Sequence, residues 1–164
     1  VMSNPITDTG YLDSVNINKG ESQNKIIKGD LLFNGSSETP EEVGFCSAVL
    51  EQIDNLYLNS FCFGFRIFNT KQYDSLFLAY FFRSTLGRNF FYSLAQGATR
   101  YNLSKTNFLK SILTLPIYED QVQIATLIRD IDSEIEQLVQ KLTKYHLAKQ
   151  GMMQQLLTGK IRLV

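Results

Sequence analysis

The chain contains few of the side chains that carry out catalysis. Its single histidine is His146, and its two cysteines are Cys46 and Cys62. His146 lies in a stretch with helical periodicity, far in sequence from either cysteine, which is typical of a histidine on a helix surface. The sequence has no HExxH, CxxC, phosphate-loop or GxGxxG motif, so nothing in it predicts a metal, phosphate or dinucleotide site. We expect no catalytic residue, no metal and no cofactor.

A cluster of acids is the strongest candidate for a metal site. Asp30 precedes a loop that carries Glu38, Glu41 and Glu42, and carboxylates of this kind hold divalent ions in nucleases. Such a site is usually accompanied by a lysine, and none follows within about twenty residues. A metal-dependent nuclease fragment is therefore the weakest of three hypotheses for this chain.

A second polar segment, residues 96–102, is suited to hydrogen bonding with nucleic acid bases. It combines amide, hydroxyl, guanidinium and phenol groups around Gly97. Arginine and the amide side chains make two-point hydrogen bonds to guanine and adenine in the major groove. The net charge of the chain is zero, but residues 75–118 contain five basic residues and no acid: Arg83, Arg88, Arg100, Lys105 and Lys110. This local charge favours a polyanionic partner.

The strands that position these segments are predicted from alternation. Residues 31–34 read as a buried strand, and residues 45–50 as a second strand beyond a long acidic loop. From Tyr57 to Phe68, a period of two places Phe61, Phe63 and Phe65 on one face, which we interpret as a wall of the core rather than as base-stacking rings. Residues 11–15 suit a short edge strand.

Helical spacing follows in the middle of the chain. Residues 70–84 predict a helix, Thr85–Gly87 a break, and residues 88–95 a second helix. Ser104 is a predicted N-cap for a short helix through Phe108. Residues 111–115 alternate again and predict a strand. Without an internal repeat, this order of elements predicts an α+β fold for residues 1–117.

The end of the chain predicts one long helix, from about Glu119 to Leu157. Apolar residues recur there at alternating intervals of four and three, the spacing of a coiled-coil seam. The seam positions are Ile124, Ile128, Ile131, Ile135, Leu138, Leu142, Tyr145, Lys149, Met152 and Leu156. Such a helix is roughly 57 Å long, so we treat residues 118–164 as a separate segment that projects from the head or clamps a partner.

Charge is divided unevenly along this helix. The acids all lie in its first half: Glu119, Asp120, Asp130, Asp132, Glu134 and Glu136. Apart from Arg129, the basic residues lie in the second half: Lys141, Lys144, Lys149, Lys160 and Arg162. A parallel pair would oppose like charges, whereas an antiparallel pair opposes unlike ones. The pattern favours an antiparallel partner helix.

Composition places the chain among ordinary globular proteins. It is 44% apolar and 20% charged, and no apolar run is long enough to predict a membrane span. The first residues lack the features of a signal peptide, and two cysteines make no disulfide framework, so we expect free thiols and a cytoplasmic protein. The opening VMSNPITDTG, which lacks an initial Met, is typical of a fragment or a trimmed chain.

Motifs at both ends of the long helix resemble one known family. The segment LPIYEDQVQIA (residues 115–125) resembles the "LPP-x-E-E-Q-x-x-I-A" start of the conserved helix in type I restriction–modification specificity (S) subunits. The segment GMMQQLLTGKIR (residues 151–162) is similar to its end, "G-L-L-Q-Q-L-F-S-G-K-I-R". Upstream, GDLLFN (residues 29–34) resembles the family's "GD-I-L-F" strand, and residues 36–44 resemble the loop that follows it. The matches occur in the family's order over residues 29–162.

The sequence departs from this family in two places. Ile117 replaces the usual second proline of the helix start. The "W-x-x-x-x-L-G" start of the family's target recognition domain is not found. The chain therefore resembles the C-terminal part of one recognition-domain-plus-helix unit. Two alternatives stay open: half of a longer chain with two units, or a single unit that pairs with itself.

The resemblance implies a non-catalytic subunit that reads double-stranded DNA. In this family each recognition domain reads half of a split target, and the helices form a spacer on which methyltransferase (M) subunits dock. The methyl transfer and the nuclease of the restriction (R) subunit belong to partners. The other reading of the chain is a coiled-coil adaptor whose head binds protein.

Given the resemblance, we assign candidate residues to both functions. Arg100 is the first candidate for base readout, and Arg88, Lys105 and Lys110 are candidates for phosphate contacts. The full set of predicted DNA contacts is Asn34, Ser36, Ser37, Arg88, Gln96, Thr99, Arg100, Tyr101, Asn102, Lys105 and Lys110. The predicted helix-pairing residues, for an antiparallel homodimer or a second S unit, are Ile124, Ile128, Ile131, Ile135, Leu138, Leu142, Tyr145, Met152 and Leu156.

Overall fold

The structure, a computed structural model, describes residues 4–8, 10, 12–16, 18 and 20–161. In this part of the chain the elements are, in order, β1 (Leu31–Asn34), β2 (Ser36–Ser37), a 3-10 turn (Pro40–Glu42), β3 (Cys46–Ala48), β4 (Cys62–Phe65), α1 (Ser75–Arg83), α2 (Thr85–Leu94), β5 (Ala95–Gln96), β6 (Tyr101–Leu103), α3 (Lys105–Lys110) and α4 (Tyr118–Leu157). One compact unit extends to Ala125, and a second begins at Thr126. The predicted α+β class is confirmed.

The first sheet is antiparallel, with β1 between β3 and β4. Its central strand alternates as its sequence predicts: Leu31 and Phe33 face the main core, whereas Leu32 packs in a smaller cluster with Ile26 and Val49. All four residues of β1 are buried, which accounts for its unbroken apolar run. The predicted strands at 31–34 and within 45–50 are confirmed.

An aromatic cluster centred on Phe33 fills the main core. The rings of Phe63, Phe82, Phe91 and Phe108 surround it, with centroid separations between 5.2 and 5.6 Å. Most of these contacts are tilted or edge-to-face, the arrangement that the ring quadrupole favours. This cluster joins the first sheet to α1, α2 and α3.

The two central helices meet at Ser84 rather than at a glycine break. The Asp74 carboxylate caps α1 by accepting from the Phe77 N–H, and the Ser84 hydroxyl caps α2 by accepting from the Gly87 N–H. Gly87 therefore lies inside α2, and the predicted break at Thr85–Gly87 is wrong. A Cβ at Gly87 would lie 2.3 Å from the Phe81 carbonyl oxygen, so this glycine allows the helices to approach closely.

Three further expectations about strands are wrong. Residues 111–115 alternate in burial but form no strand, because no described segment pairs with them. Residues 12–15 have no regular structure either, and Tyr11 lies outside the described residues. Within the predicted wall of phenylalanines, Phe63 is 9% exposed but Phe61 is 56% exposed, because Phe61 precedes β4 and lies beyond the edge of the core.

A second small antiparallel sheet, with β6 between β2 and β5, lies beside the end of β1. Gly35 joins the two sheets: its N–H donates to the Phe61 carbonyl at 2.8 Å, and its carbonyl accepts from the Leu103 N–H at 2.9 Å. A Cβ at Gly35 would lie 3.1 Å from the Phe61 carbonyl oxygen. A Cβ would therefore crowd the point where the chain passes from one sheet into the other.

The first turns of α4 belong to the compact unit. Gln121, 1% exposed, accepts from the Asp74 N–H at 3.0 Å and donates to the carbonyls of Gln72 (3.1 Å) and Pro116 (2.9 Å). Ala125 is buried one turn later. The side chain of Gln121 thus ties the start of α4 to the start of α1. The division into residues 1–117 and 118–164 stays a prediction.

The second unit is the remainder of α4 and the residues after it. The predicted helix from about Glu119 to Leu157 is confirmed within one residue at its start. Nearly all its apolar residues are exposed along the helix, for example Ile135 (52%) and Leu138 (57%). Among the described residues, no helix has both the length and the apolar character needed to cross a membrane.

Candidate nucleic-acid interface

The polar segment 96–102 forms most of a tight hairpin. β5 and β6 are antiparallel, with Gln96 opposite Asn102, and four residues connect them. Gly97 has a φ of 137°, and a Cβ there would lie 2.1 Å from the Arg100 carbonyl oxygen. Only glycine fits this conformation and this approach. The connection is therefore narrow, with its polar side chains directed outward.

The hairpin presents several hydrogen-bonding side chains to solvent. Gln96, Thr99, Arg100 and Asn102 are exposed, and Tyr101 is half-buried. The Asn102 amide donates to the Arg100 carbonyl at 3.4 Å. These residues, all predicted from sequence as DNA contacts, are therefore brought together on one small sheet. Ser36, also predicted, is half-buried and lies opposite Asn102 on β2.

Two lysines follow the hairpin on α3. The predicted cap is confirmed, since the Ser104 hydroxyl accepts from the Asn107 N–H at 3.3 Å. Lys105 is exposed at the start of the helix, and its Nζ lies 5.2 Å from the centre of the Phe63 ring. Lys110 is exposed in the last turn. Both ammonium groups are accessible to a phosphate.

Two residues of the predicted contact set are instead buried in the protein. Asn34 is 7% exposed, and its amide donates to the Glu42 carbonyl at 3.2 Å. Ser37 is 8% exposed, and its hydroxyl donates to the Glu42 carboxylate at 2.5 Å. Because these groups are occupied in holding residues 35–44, we remove Asn34 and Ser37 from the set of DNA contacts.

Arg88 is also engaged within the protein. Its Nη2 donates to the carbonyls of Glu41 and Val43, both at 2.5 Å, and its guanidinium lies 4.4 Å from the centre of the Phe45 ring. Burial lowers the pKa of Arg88 from its ordinary value. An arginine that fastens a loop by two charge-assisted hydrogen bonds is not available to a phosphate, so we remove Arg88 from the set as well.

Arg83, the remaining cation of the basic segment, lies beside the first sheet. Its Nε donates to the Cys46 carbonyl at 2.6 Å, and its Nη2 donates to the Asn4 carbonyl at 2.8 Å. The net positive charge of residues 75–118 therefore has two parts. Arg83 and Arg88 bind main-chain carbonyls, whereas Arg100, Lys105 and Lys110 are exposed.

Two of the acidic residues considered for a metal site bind other groups of the protein instead of converging on one point. The Asp30 carboxylate, 5% exposed, forms an ion pair with Arg66 at 2.7 Å and accepts from the Ile27 N–H. Glu42 accepts from Ser37 as described above. Among the described residues, no three acids, histidines or cysteines are placed to hold a metal ion. The Asp30 carboxylate of the Gly29-Asp30 pair thus has a structural role: it holds Arg66, the residue that follows β4.

Two residues that were not assigned to the site from the sequence are important in the structure. Gln121 lies within the motif of the helix start, so the motif contained a signal, but the long-range hydrogen bonds that it makes were not evident. Phe61 lies beside the hairpin, with the Arg100 guanidinium 5.3 Å from its ring centre. The alternation with Phe63 predicted burial, and no sequence feature distinguished Phe61 from its neighbours.

An α+β domain with an exposed polar hairpin, followed by a helix with an exposed apolar seam, has the architecture of a binding module. Comparison with known families agrees with the resemblance found in the sequence. The family described as the type I restriction modification DNA specificity domain matches residues 3–144, and the chain belongs to this family.

One similar protein matches this chain over nearly its whole length. A Methanocaldococcus jannaschii protein assigned as the specificity subunit of the type I restriction enzyme MjaX is 27% identical over 154 residues. The matched segment is 93% of this chain and 36% of that protein. The chain therefore spans little more than a third of the length of this relative.

Proposed function

We propose that this chain is a sequence-specific DNA recognition unit of a type I restriction–modification enzyme, and that it reads one half of a bipartite target. Membership of the specificity-domain family supports this assignment. In this proposal the chain binds DNA without catalysing a reaction, and methyl transfer and cleavage belong to partner subunits. The methyltransferase docks on α4 and links the chain to the restriction subunit.

The observation that carries the proposal is the exposed hairpin of β5 and β6. An arginine and two amide side chains lie on it within a few residues of one another, and these are the groups that make bidentate contacts with base edges. We assign base readout to Arg100, Gln96 and Asn102. We assign phosphate contacts to Lys105 and Lys110, which position the domain without reading sequence.

A selection from randomised duplex DNA, with the methyltransferase of the same system present, tests the assignment. The wild-type chain should enrich one half-site sequence. Arg100→Ala should change the preference at one base pair, by roughly ten- to a hundredfold. Lys105→Ala should weaken binding to every sequence alike and reduce the salt slope by about one.

Two results would contradict these roles. An equal loss on every sequence for Arg100→Ala would remove Arg100 from base readout. Enrichment of no DNA sequence by the wild-type complex would contradict the proposed function itself and favour the adaptor hypothesis.

We further propose that the exposed seam of α4 pairs with a second, antiparallel α4. Side chains such as Ile131, Ile135 and Leu142 are about half exposed or more, and a seam of this kind is stabilised when a facing helix covers it. The acidic first half and basic second half of α4 match in an antiparallel pair. The second helix comes from another copy of the chain or from a second unit on a longer chain.

Pairing of α4 is tested by sedimentation at micromolar concentration. The wild-type chain should form dimers, and Ile135→Glu should form monomers with unchanged helix content, because a buried unpaired carboxylate is costly. Gln140→Glu, which introduces the same charge on the opposite face of the helix, is the control. A wild-type chain that is purely monomeric would exclude self-pairing and leave pairing with a second unit.

The length of α4 makes a prediction about the target. At ~1.5 Å per residue, its 40 residues extend about 60 Å. Two recognition units spaced by such a helix pair would read half-sites roughly one to two duplex turns apart, at ~34 Å per turn. Deletion of one heptad from α4 should shorten the preferred gap. An unchanged gap would exclude α4 as the spacer.

A further inference from the structure

Phe61 is a large apolar side chain at an unusual position. It is 56% exposed, although Phe63 and Phe65, which follow it at the same spacing, pack in the core. Exposure of a phenylalanine by itself is ordinary. Here, however, the ring lies next to the polar hairpin, and the guanidinium carbon of Arg100 is 5.3 Å from its centre.

The main chain at Phe61 is held by hydrogen bonds on both sides. The Phe61 N–H donates to the Asn59 side-chain oxygen at 3.0 Å, and the Phe61 carbonyl accepts from the Gly35 N–H at 2.8 Å. Gly35 in turn accepts from Leu103 of β6. The main chain of Phe61 and the strand that follows Arg100 are therefore both hydrogen-bonded to Gly35.

This contact restricts Arg100 without using its hydrogen-bond donors. A guanidinium over an aromatic face is held by cation–π attraction, while its N–H groups, which lie in its own plane, stay free for an acceptor. An unrestrained exposed arginine has many rotamers and loses that freedom when it binds a base. A ring that already restricts the side chain reduces this loss.

We propose that Phe61 is a positioning residue for sequence readout: it holds Arg100 in the orientation in which the guanidinium contacts a base pair. This inference rests on the proposed function, in which Arg100 reads DNA. It adds a specificity-determining residue that lies outside the hairpin, 34 residues before its first residue, Ala95. Phe61 acts through Arg100 and makes no base contact of its own.

The test compares binding to the selected half-site with binding to single-base-pair variants of it, with the methyltransferase present. The proteins are wild type, Phe61→Leu, Phe61→Tyr, Arg100→Ala and the Phe61→Leu/Arg100→Ala double variant. Phe68→Leu is the matched control, because Phe68 is 92% exposed and lies on the same segment. Thermal unfolding of each protein separates effects on folding from effects on readout.

Phe61→Leu should reduce discrimination roughly three- to tenfold, at the base pair that Arg100→Ala affects and at no other. Phe61→Tyr, which keeps the aromatic face, should retain wild-type discrimination. In the Arg100→Ala background, Phe61→Leu should have no additional effect. Binding to unrelated DNA, its salt slope and the unfolding temperature should stay within error of wild type, as for Phe68→Leu.

Several outcomes would overturn the inference while leaving the proposed function intact. Unchanged discrimination in Phe61→Leu would show that Arg100 needs no support. A further loss in the Arg100→Ala background would show that Phe61 contacts DNA itself. A loss on all sequences with a lower unfolding temperature would show a structural role. Failure of the proposed function would be recognised separately, because the wild-type protein itself would then show no sequence preference.

Discussion

Replacement of Gln121 by methionine should strongly destabilise the compact unit. The amide of Gln121 is 1% exposed and satisfies three main-chain groups: the Asp74 N–H and the carbonyls of Gln72 and Pro116. Methionine fills a similar volume but cannot hydrogen-bond to any of them. These three hydrogen bonds are partly buried, and each main-chain group that is left unsatisfied costs about 1–2 kcal/mol. With partial relaxation, we expect a loss of about 3–5 kcal/mol and a fall in Tm of roughly 10–15 °C.

The measurement is urea and thermal unfolding followed by tyrosine fluorescence, since the chain has no tryptophan. Gln123→Met is the control, because Gln123 is exposed on the same turn of α4 and its replacement should change stability by less than about 0.5 kcal/mol. Gln121→Glu should be destabilising at neutral pH, where a carboxylate would face the carbonyls of Gln72 and Pro116, and should partly recover when acid protonates it. A loss below about 1 kcal/mol for Gln121→Met would refute the reasoning.

The remaining predictions concern the loop, the hairpin and a buried thiol. Arg88→Met should lower the free energy of unfolding by roughly 2 kcal/mol, because the Glu41 and Val43 carbonyls lose their donor, and Arg88→Lys should restore only part of it, because an ammonium can donate to both carbonyls but lacks the planar group that lies over the Phe45 ring; a reduced salt slope of DNA binding without loss of stability would contradict the internal role. Gly97→Ala should abolish the sequence preference assigned to Arg100 and lower the free energy of unfolding by about 1–3 kcal/mol, as measured by the selection and by thermal unfolding, because φ is positive there and a Cβ would meet the Arg100 carbonyl oxygen; retention of the preference would show that the turn tolerates a Cβ. Burial raises the pKa of the Cys46 thiol, so its contribution to stability is complete below the unfolded pKa of about 8.5 and is lost as the pH rises above it. The free energy of unfolding, measured by urea denaturation between pH 8 and 10.5, should therefore fall faster for wild type than for Cys46→Ala, by on the order of 1 kcal/mol per pH unit. Parallel curves for the two proteins would contradict this.

The elements that local periodicity determines were predictable from sequence. The extent of α4 followed from its unbroken seam, β1 from its apolar run, and the cap at Ser104 from its position before a helical stretch. In each case a property of consecutive residues decides the structure. The motifs at the two ends of α4 also identified the family, because they combine specific residue types in a fixed order.

What depends on distant partners could not be predicted in this way. Residues 111–115 have the alternation of a strand, but a strand also needs a neighbour to pair with, and that neighbour does not exist among the described residues. The segment 96–102 lies in the hairpin of β5 and β6, and β6 also pairs with β2, some sixty residues earlier. Its local sequence indicated only a polar loop around a glycine.

The direction of individual side chains within the candidate site also depends on distant partners. Arg88 and Arg100 are indistinguishable as members of a basic segment, yet one binds two carbonyls of the loop and the other is exposed. Asn34 was placed at the end of its strand correctly, but its burial depends on Glu42 folding back over it. Charge and polarity alone therefore did not distinguish the side chains that are exposed from those that are engaged within the protein.

Gly35 has a consequence for how recognition can diversify. The hairpin is attached to the first sheet through main-chain hydrogen bonds at this residue, and such bonds do not depend on which side chains the hairpin carries. The exposed residues Ala98, Thr99 and Arg100 can therefore be exchanged without repacking the core. A library randomised at these three positions should retain its unfolding temperature while its members differ in preferred DNA sequence. The fold would then serve as a constant frame on which new target specificities arise by a few surface substitutions.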